Sequence, residues 1–274
     1  MAKANKEILK QIGVVDIIIE IRDARIPKAS TNPNFNDDVF LKKPHLIILN
    51  KADLADKQES NKWLNYFNSD STLVLNSTLD NLSKIVVNKC KKILKDKLDK
   101  AKAKGIKKKV IKAMVIGVPN VGKSTFINNI VNKKAQKVEN KPGVTKSVSW
   151  ININDDLLLL DTPGVLWPKF DNQNQAKWLS IIGSINDDIL DKIELVRFAI
   201  DEINKLYPKV LKDRYLISDS EDELKEIGLN KKCLTKNGEV DYLKAAELVL
   251  NDIRNNKLGS LTYERIDSWK YIWK

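Results

Sequence analysis

"GVPNVGKS" occupies residues 117–124, and it decides how the rest of the chain is interpreted. A short apolar run precedes it, and a sequence of helical character begins at Lys123. Glycines at both ends of such a loop let the backbone wrap around a phosphate chain, so that successive N–H groups and a helix start face the phosphates. In this arrangement Lys123 reaches the β- and γ-phosphates and the hydroxyl of Ser124 binds Mg²⁺. The stretch therefore predicts a P-loop between a strand and a helix.

A second motif, "NKAD" at residues 50–53, follows a short apolar strand of its own. The carboxylate of Asp53 can accept hydrogen bonds from N1–H and the exocyclic amine of guanine, a donor pair that adenine lacks. Lys51 can lie along the plane of the base, and Asn50 can tie this loop to the P-loop. The stretch Asn76-Ser77-Thr78 ends the next strand and can offer a backbone N–H to guanine O6. These residues predict selectivity for guanine nucleotides.

Two further loops have the composition of nucleotide-sensing segments: Asp161-Thr162-Pro163-Gly164, after a strand, and Pro142-Gly143-Val144-Thr145. Asp161 is expected near Mg²⁺ through a water, and the Gly164 N–H on the γ-phosphate. The Thr145 hydroxyl is expected to bind Mg²⁺ when the γ-phosphate is present. Loss of that phosphate on hydrolysis then releases both loops.

These motifs define one set of candidate site residues. Those predicted to act in catalysis are Lys123, Thr145 and Gly164, and those predicted to bind Mg²⁺ are Ser124, Thr145 and Asp161. Those predicted to contact GTP or GDP are Asn50, Lys51, Ala52, Asp53, Asn76, Ser77, Asn120, Val121, Gly122, Lys123, Ser124, Thr125 and Gly164.

The order of the motifs is unusual, because the base-reading motif precedes the P-loop. Short strands alternate with helical patterns up to about residue 170, which indicates parallel β/α units. Ligands of such sheets bind at the carboxyl ends of the strands, wherever those strands fall in the sequence. Moving the chain termini therefore leaves the pocket intact. The sequence predicts an α/β, circularly permuted P-loop GTPase domain with a doubly wound, mostly parallel sheet. Residues 84–112 then join the two positions that are the chain termini in an unpermuted GTPase domain.

The periodicity changes after this region. Helical patterns without a convincing strand between them cover residues 176–185, 190–207, 221–227 and 242–255. We therefore expect a GTPase domain over residues 1–172 and a small all-helical domain over residues 173–274. Within the first domain the pattern predicts a buried strand over residues 14–21 and one helix from 79 to 104.

Composition excludes several classes of protein. The chain has 274 residues and 42% hydrophobic content, which supports real cores. Two cysteines and one histidine cannot build a disulfide framework or a four-ligand zinc site. No apolar run approaches the roughly 20 residues that span a bilayer, and no cationic start leads into a signal segment. We expect a soluble, cytoplasmic protein.

Positive charge is concentrated in one segment. The chain carries a net charge of +12, and residues 84–112 hold thirteen lysines against only Asp96 and Asp99. Such a run neutralises phosphates without reading sequence, which favours a polyanionic partner. A solvated helix in a lysine-rich protein is the alternative.

In combination, the motifs resemble the ribosome biogenesis GTPase A (YlqF/RbgA) family of circularly permuted GTPases over essentially the whole chain. The matching stretches are "DARIP" (23–27), "NKAD" (50–53), "GVPNVGKST" (117–125), "PGVT" (142–145) and "LLDTPGVLWPKF" (159–170). The resemblance implies a GTPase that helps the large (50S) ribosomal subunit mature, with a helical RNA-binding C-terminal domain. Its implied partners are the large-subunit precursor, rRNA and ribosomal proteins, with no membrane, and we expect a monomer when the protein is free.

Two departures from familiar GTPases concern hydrolysis. Val165 stands where a Ras-like protein has its water-orienting glutamine, a substitution that the family shares. The family is similar there to GTPases that use K⁺ held partly by a phosphate-loop asparagine, and Asn120 matches that position. Members tend to begin with a Phe-Pro-Gly-His-Met stretch whose histidine is a candidate for catalysis, and Met1-Ala2-Lys3-Ala4 resembles its remainder. His45 is no substitute for that histidine on position alone. Either the start of the sequence has been misassigned or trimmed, or hydrolysis depends on catalytic groups supplied by the ribosome. We expect slow intrinsic turnover.

Two alternatives stay open at the level of sequence. One is an RNA-binding scaffold in which GTP is mainly structural, which Val165 and the absent histidine keep open. The other is a P-loop ATPase or kinase, which Asp53 disfavours.

Overall fold

The computed structural model describes residues 11–32, 42–131, 137–138, 150–160, 173–185, 190–218 and 220–266. Within these ranges no helix is both long and apolar enough to cross a membrane.

A seven-stranded sheet forms the centre of the first part of the chain. Its strands are β1 (Ile17–Asp23), β2 (His45–Asn50), β3 (Thr72–Val74), β4 (Ile111–Ile116), β5 (Lys137–Val138), β6 (Trp150–Asn154) and β7 (Leu157–Leu160). They lie in the order β3-β2-β1-β4-β7-β6-β5. The pairs from β3 to β7 are parallel, and β6 pairs antiparallel with both β7 and β5. The predicted mostly parallel sheet is therefore confirmed, and β1 and β4 are neighbours although β2 and β3 lie between them in sequence.

Helices connect the parallel strands. A short 3₁₀ helix (Ala52–Leu54) and α1 (Lys57–Tyr66) follow β2, α2 (Leu82–Ile93) and α3 (Lys95–Ala103) follow β3, and α4 (Lys123–Ile130) follows β4. Asp56 caps α1, because its carboxylate accepts from the backbone N–H groups of Gln58 at 2.8 Å and Glu59 at 3.1 Å. These crossovers are the β/α units that the alternation of patterns predicted.

The prediction of one helix over residues 79–104 was wrong, because the segment forms two helices, α2 and α3. The chain breaks at Leu94, whose side chain is only 2% exposed. Neither glycine nor proline occurs between residues 79 and 104, so local composition does not mark the break. The backbone of Leu94 leaves helical geometry, with φ −94° and ψ 12°, while its side chain packs in the core.

The first strand also begins later than predicted. Val14 lies in a turn and is 53% exposed, whereas the strand runs from Ile17 to Asp23. The shift matters for the site, because it places Asp23 at the carboxyl end of β1, in register with Asn50 at the end of β2.

The C-terminal region is helical. Its helices are α5 (Gln173–Ile181), α6 (Lys192–Leu206), α7 (Val210–Tyr215), α8 (Glu223–Asn230) and α9 (Tyr242–Arg254). Among the described residues its only β pairing is the isolated bridge between Leu234 and Val240. The domain boundary at residue 172 stays a prediction, because residues 161–172 lie outside the described ranges.

Both faces of the sheet are covered by apolar side chains. Ile17, Ile19 and Ile21 belong to the largest core cluster, which also holds side chains of α2 and α4. That cluster continues into the C-terminal helices, where it includes Trp178 and Tyr215. Both faces of β1 are buried, which favours its isoleucines, although the strand also buries Glu20 and Arg22 as an ion pair.

Candidate nucleotide-binding site

The loops that carry the predicted motifs leave the sheet at one edge. β1, β2, β3 and β4 are parallel, so their carboxyl ends lie on the same side. Asp23 and Asn50 are the last residues of β1 and β2, and Gly117 follows the end of β4. The loop with the NKAD motif at residues 50–53, which we call the base-reading loop after its predicted role, and the P-loop are thus neighbours in space in spite of their reversed order in sequence.

The P-loop requires its two glycines for steric reasons. A Cβ on Gly117 would collide with the carbonyl oxygen of Ile21, and one on Gly122 with the amide nitrogen of Asn50. Gly122 also has a φ of 97°, a left-handed conformation that favours glycine, and α4 begins directly after it. Close approach to the neighbouring strands therefore shapes the loop.

Lys123 lies inside the curve of this loop. Its ammonium donates to the carbonyl oxygen of Gly117 at 2.9 Å, and burial lowers its pKa. Ser124 and Thr125 follow in the first turn of α4, and both are exposed. A cation partly removed from water beside a helix start suits the recognition of a phosphate chain.

The side-chain amide of Asn50 joins three loops. Its Nδ2 donates to the carbonyl oxygen of Val121 in the P-loop at 2.8 Å. Its Oδ1 accepts from both the backbone N–H of Ser77, at 2.9 Å, and the Ser77 hydroxyl, at 2.7 Å. Asn129 of α4 adds a bond of 2.9 Å from its Nδ2 to the Ser77 carbonyl oxygen. Asn50 is 3% exposed, so these bonds form away from water and fix the loops relative to one another.

Lys51 links the base-reading loop to two other elements. It adopts a left-handed backbone conformation with φ 60°, and its ammonium donates to the carbonyl oxygen of Asn120 at 2.7 Å. The same ammonium forms an ion pair of 3.0 Å with Asp23. The sequence predicted a place for Lys51 along the base, and its partner Asp23 was not anticipated.

Asp23 is a buried carboxylate held by two cations. Arg25 donates to it from its backbone N–H at 3.0 Å and from its guanidinium at 3.0 and 2.9 Å. Burial alone would raise the pKa of Asp23, but the charges of Arg25 and Lys51 and the hydrogen bonds of Arg25 lower it to about 2. Asp23 is therefore a permanent anion that orients Lys51. Its position at the end of a parallel strand is the sequence feature from which a role in the site could have been predicted.

The two residues after Lys51 begin the short 3₁₀ helix. The backbone N–H of Ala52 donates to the carbonyl oxygen of Leu75 at 3.3 Å, which anchors the loop to the next strand. Asp53 is exposed, at the same edge as the P-loop. Asn76 uses its side chain locally, because its Oδ1 accepts from the Thr78 N–H at 3.0 Å.

Asn120 contacts the C-terminal region. Its Nδ2 donates to the carbonyl oxygen of Gly183, just after α5, at 2.6 Å. The guanidinium of Arg254 from α9 donates to the carbonyl oxygens of Ile181 at 3.0 Å and Ser180 at 2.8 Å, which holds the end of α5 in place. The P-loop is thus bonded directly to the helical region. No sequence motif predicts this contact.

The remaining predicted site residues Thr145, Asp161 and Gly164, and Val165 with them, lie outside the described ranges. β7 ends at Leu160 beside β4, so the chain reaches Asp161 directly after the strand that neighbours the one leading into the P-loop. Within the described residues no group of three or more histidine, cysteine, aspartate or glutamate side chains could hold a metal ion. Of the predicted Mg²⁺ ligands, only Ser124 is described.

His45 lies at the other end of β2 from the base-reading loop. It is the first residue of that strand, and burial lowers its pKa to about 4. The expectation that His45 does not replace the family's upstream histidine stays a prediction.

The lysine-rich segment lies at the opposite edge of the sheet. Its ion pairs join Lys97 to Asp16 at 2.6 Å, Lys92 to Asp70 at 2.6 Å, and Lys91 to Asp156 at 2.9 Å. These three aspartates stand just before β1, β3 and β7, at the amino ends of parallel strands. The segment that closes the permuted fold therefore runs along the edge farthest from the P-loop.

A P-loop, an Asn-Lys-x-Asp loop tied to it, and this strand order define a circularly permuted P-loop GTPase. Comparison with known sequences agrees: residues 112–235 match the family described as "50S ribosome-binding GTPase". Ribosome biogenesis GTPase A of Bacillus cereus is 39% identical over 270 residues, which covers 96% of this chain and 91% of that protein. Mitochondrial ribosome-associated GTPase 1 of Bos taurus is 31% identical over 97% of this chain and 86% of its own length. The chain belongs to the ribosome biogenesis GTPase A family, and it is a GTPase that converts GTP into GDP and phosphate.

Solved structures share the fold. GNP-bound YlqF from T. maritima superposes with a TM-score of 0.69 at 24% sequence identity and covers 96% of this chain and 98% of its own. The GDP-bound form of the same protein gives a TM-score of 0.69 at 22% identity.

Proposed function

We propose that this GTPase is a nucleotide-controlled assembly factor of the large ribosomal subunit, which docks on the maturing particle with GTP bound and leaves after hydrolysis. The observation that carries the proposal is the Asn50 amide, which joins the base-reading loop, the P-loop and the Ser77 loop. One edge of the sheet thereby receives both ends of a guanine nucleotide. The names of its relatives supply the ribosomal context.

For the base, we assign recognition to the exposed carboxylate of Asp53. It accepts from N1–H and the exocyclic amine of guanine, while Lys51, oriented by Asp23, covers the base plane. Within the Asn76-Ser77-Thr78 stretch we assign the contact with guanine O6 to the Asn76 N–H, because the N–H groups of Ser77 and Thr78 donate to the side chains of Asn50 and Asn76. An adenine nucleotide would leave the Asp53 carboxylate without its donor pair, which is the source of selectivity.

For the phosphates, we assign binding to the turn that leads into α4. Backbone N–H groups from Asn120 to Thr125 surround the phosphate chain, and the Lys123 ammonium exchanges the Gly117 carbonyl oxygen for phosphate oxygens. Ser124, Thr145 and Asp161 are the residues that would hold Mg²⁺. Mg²⁺, when bound, neutralises charge on the β- and γ-phosphates.

In hydrolysis, water attacks the γ-phosphorus and the bond to the bridging oxygen of GDP breaks. Lys123 and the Gly164 N–H stabilise the charge that develops on the phosphate oxygens, and Thr145 senses the γ-phosphate. The bond from Asn120 Nδ2 to Gly183 leaves Oδ1 of the same amide as the acceptor that a K⁺ ion would require. No described side chain is assigned to activate the water, so we propose slow turnover in isolation and stimulation by the ribosome.

For rRNA, we assign contact to the lysine-rich segment at the amino-terminal edge of the sheet. Six of its lysines are exposed and form no ion pair with another described residue: Lys84, Lys95, Lys100, Lys102, Lys104 and Lys107. Two basic residues of the C-terminal region are less available. Arg265 donates to the Leu206 carbonyl oxygen at 2.6 Å and lies over the Tyr207 ring, and Lys257 pairs with Asp252 at 3.2 Å.

Sedimentation with large-subunit precursors tests the main proposal. We expect the protein to co-sediment with a non-hydrolysable GTP analogue and to remain unbound with GDP. Ribosome-stimulated GTP hydrolysis should be lost in Lys123→Ala while the fold is preserved. Equal co-sedimentation in both nucleotide states, with normal assembly by the Lys123 variant, would instead identify an RNA-binding scaffold in which GTP is structural.

A lysine pair tests the rRNA surface. Lys95 and Lys102 are seven residues apart and lie on the same face of α3. In the double variant Lys95→Gln, Lys102→Gln we expect the slope of log affinity against log salt to fall by about 2 for precursor binding, because two phosphate contacts are lost. Lys236→Gln, an exposed lysine of the helical region, is the control. An unchanged slope in the double variant would show that the RNA contact lies elsewhere on the protein.

A further inference from the structure

The chain returns to the nucleotide-binding region after its last described helix. α9 ends at Arg254, and residues 260–264, which we call the tail segment, cross from the helical region to the first part of the chain. Leu261, Thr262, Tyr263 and Glu264 are all at most 6% exposed. A segment buried this completely, without secondary structure of its own, satisfies its backbone through the elements that it contacts.

The first contacts of the tail segment are with the base-reading loop. The hydroxyl of Ser260 donates to the backbone carbonyl oxygen of Asp53 at 2.9 Å. The backbone N–H of Leu261 donates to the carbonyl oxygen of Leu54 at 3.2 Å. Both bonds hold the short 3₁₀ helix that begins with the residues assigned to guanine recognition.

The next contact is with the residues that orient Lys51. The backbone N–H of Tyr263 donates to the carbonyl oxygen of Arg25 at 2.8 Å. Arg25 in turn binds Asp23, and Asp23 forms the ion pair with Lys51. The tail segment thus reaches the base-reading loop by two routes, one through the Asp53 backbone and one through the partners of Lys51.

Glu264 anchors the end of the tail segment. Its carboxylate accepts from the backbone N–H groups of Lys28 at 2.7 Å and Ala29 at 3.0 Å, and its carbonyl oxygen accepts from the Trp63 indole N–H at 2.8 Å. These residues are more than 200 positions apart in the sequence. The anchor holds the tail segment against the loop after β1.

The helical region also contacts the tail segment. The hydroxyl of Tyr207 donates to the Thr262 carbonyl oxygen at 3.1 Å and accepts from its N–H at 3.1 Å. The rings of Tyr263 and Trp178 are stacked with centroids 5.0 Å apart. Any displacement of α6 or α5 relative to the sheet must therefore pull on the tail segment.

We propose that the tail segment is a positioning element of the guanine site, and that Ser260 sets the place of Asp53 so that the state of the helical region alters guanine recognition. The inference rests on the role assigned above to Asp53. Ser260 is a positioning residue, because it contacts the loop backbone and not the nucleotide. Its effect should consequently appear in selectivity for the exocyclic amine of guanine as well as in overall affinity.

Equilibrium binding of GDP and IDP to the full chain tests this inference, since IDP lacks that amine. In Ser260→Ala we expect GDP to bind about two- to ten-fold more weakly, which corresponds to one hydrogen bond, and IDP to lose less. The preference for GDP over IDP therefore falls. Ser260→Thr, which keeps the hydroxyl, should restore the preference. Ser220→Ala, another exposed serine of the C-terminal region, should change neither.

The same measurements separate this inference from the proposed function. Asp53→Asn should abolish the preference for GDP if Asp53 reads guanine. If Asp53→Asn does so while Ser260→Ala leaves the GDP to IDP ratio unchanged, the positioning role is wrong and the guanine site stands. If Asp53→Asn leaves the ratio intact, the assigned role of Asp53 fails. A lower melting temperature of Ser260→Ala with an unchanged ratio would show that the tail segment is structural only.

Discussion

Replacing Asn50 by alanine tests the central geometry of the site. The Asn50 amide makes three hydrogen bonds, one to Val121 and two to Ser77, and it is 3% exposed. Asn50→Ala removes all three and leaves the backbone N–H of Ser77 without this partner. Fold stability should fall because these bonds hold the loops together in the free protein. Nucleotide affinity should fall because loops released by the substitution must be brought back into place when GDP binds.

The magnitude follows from the number of bonds. A buried hydrogen bond contributes about 1 kcal/mol net, and an orphaned buried donor costs about 1–3 kcal/mol. We therefore expect the free energy of unfolding to fall by about 3 kcal/mol, read from urea denaturation with and without GDP. If bringing the loops back into place on binding costs the equivalent of one to three of these bonds, about 1–3 kcal/mol, the Kd for GDP rises roughly 5- to 150-fold, at about 1.4 kcal/mol per factor of ten.

An isosteric variant separates the two sides of the amide. In Asn50→Asp the carboxylate still accepts from Ser77 but faces the carbonyl oxygen of Val121, which repels it. We expect most of the affinity loss to persist, because the link to the P-loop is the one removed. Asn88→Ala, an exposed asparagine of α2, is the control. Calorimetry that found unchanged GDP affinity in both Asn50 variants would refute the claim that this amide organises the site.

Two further predictions concern stability and sterics. Burial raises the pKa of Glu264 to about 7 from a usual 4.5, so its stabilising contribution is full below pH 4.5 and lost as the pH rises to about 7, a change of up to about 3 kcal/mol. In urea denaturation, the unfolding free energy of wild type should therefore fall relative to that of Glu264→Gln between pH 5 and 8. A rise relative to Glu264→Gln would mean that the N–H donors of Lys28 and Ala29 outweigh burial. Gly122→Ala should abolish GDP binding, because its Cβ collides with a side chain of the base-reading loop and its φ is 97°. Gly105→Ala, at φ 81° with nothing within 4 Å of a Cβ, carries the strain without the collision and should cost only about 1 kcal/mol of stability with GDP binding intact.

The convergence of the nucleotide loops could be predicted from the sequence because strand ends carry it. "NKAD" and "GVPNVGKS" each follow a short apolar strand, and parallel strands bring their carboxyl ends together whatever their order. The bond from Asn50 to the P-loop was expected on this ground and is present. The same rule could have predicted a site role for Asp23, but the strand was predicted to end at Ile21, two residues too early.

Other features could not be predicted, because they depend on contacts distant in sequence. The break at Leu94 follows burial in the core, and no local residue signals it. The bonds of Glu264 to Lys28 and Ala29 join positions 236 and 235 residues apart. A glutamate in a short loop is more often solvated, so nothing near it indicates that it would be buried. Tertiary packing decides such features.

The permuted order has a consequence for how the C-terminal region communicates with the nucleotide. The chain enters that region just after β7, the strand beside the one that leads into the P-loop, so the connection to the phosphate side is covalent. On the guanine side the connection is made by packing, through the tail segment and its bonds to Asp53 and Arg25. The bond between Asn120 and Gly183 adds a third contact. If the arrangement of the helical region alters the nucleotide site, as we propose, a particle that binds one arrangement more tightly changes nucleotide affinity, and by linkage the nucleotide changes affinity for the particle by the same factor.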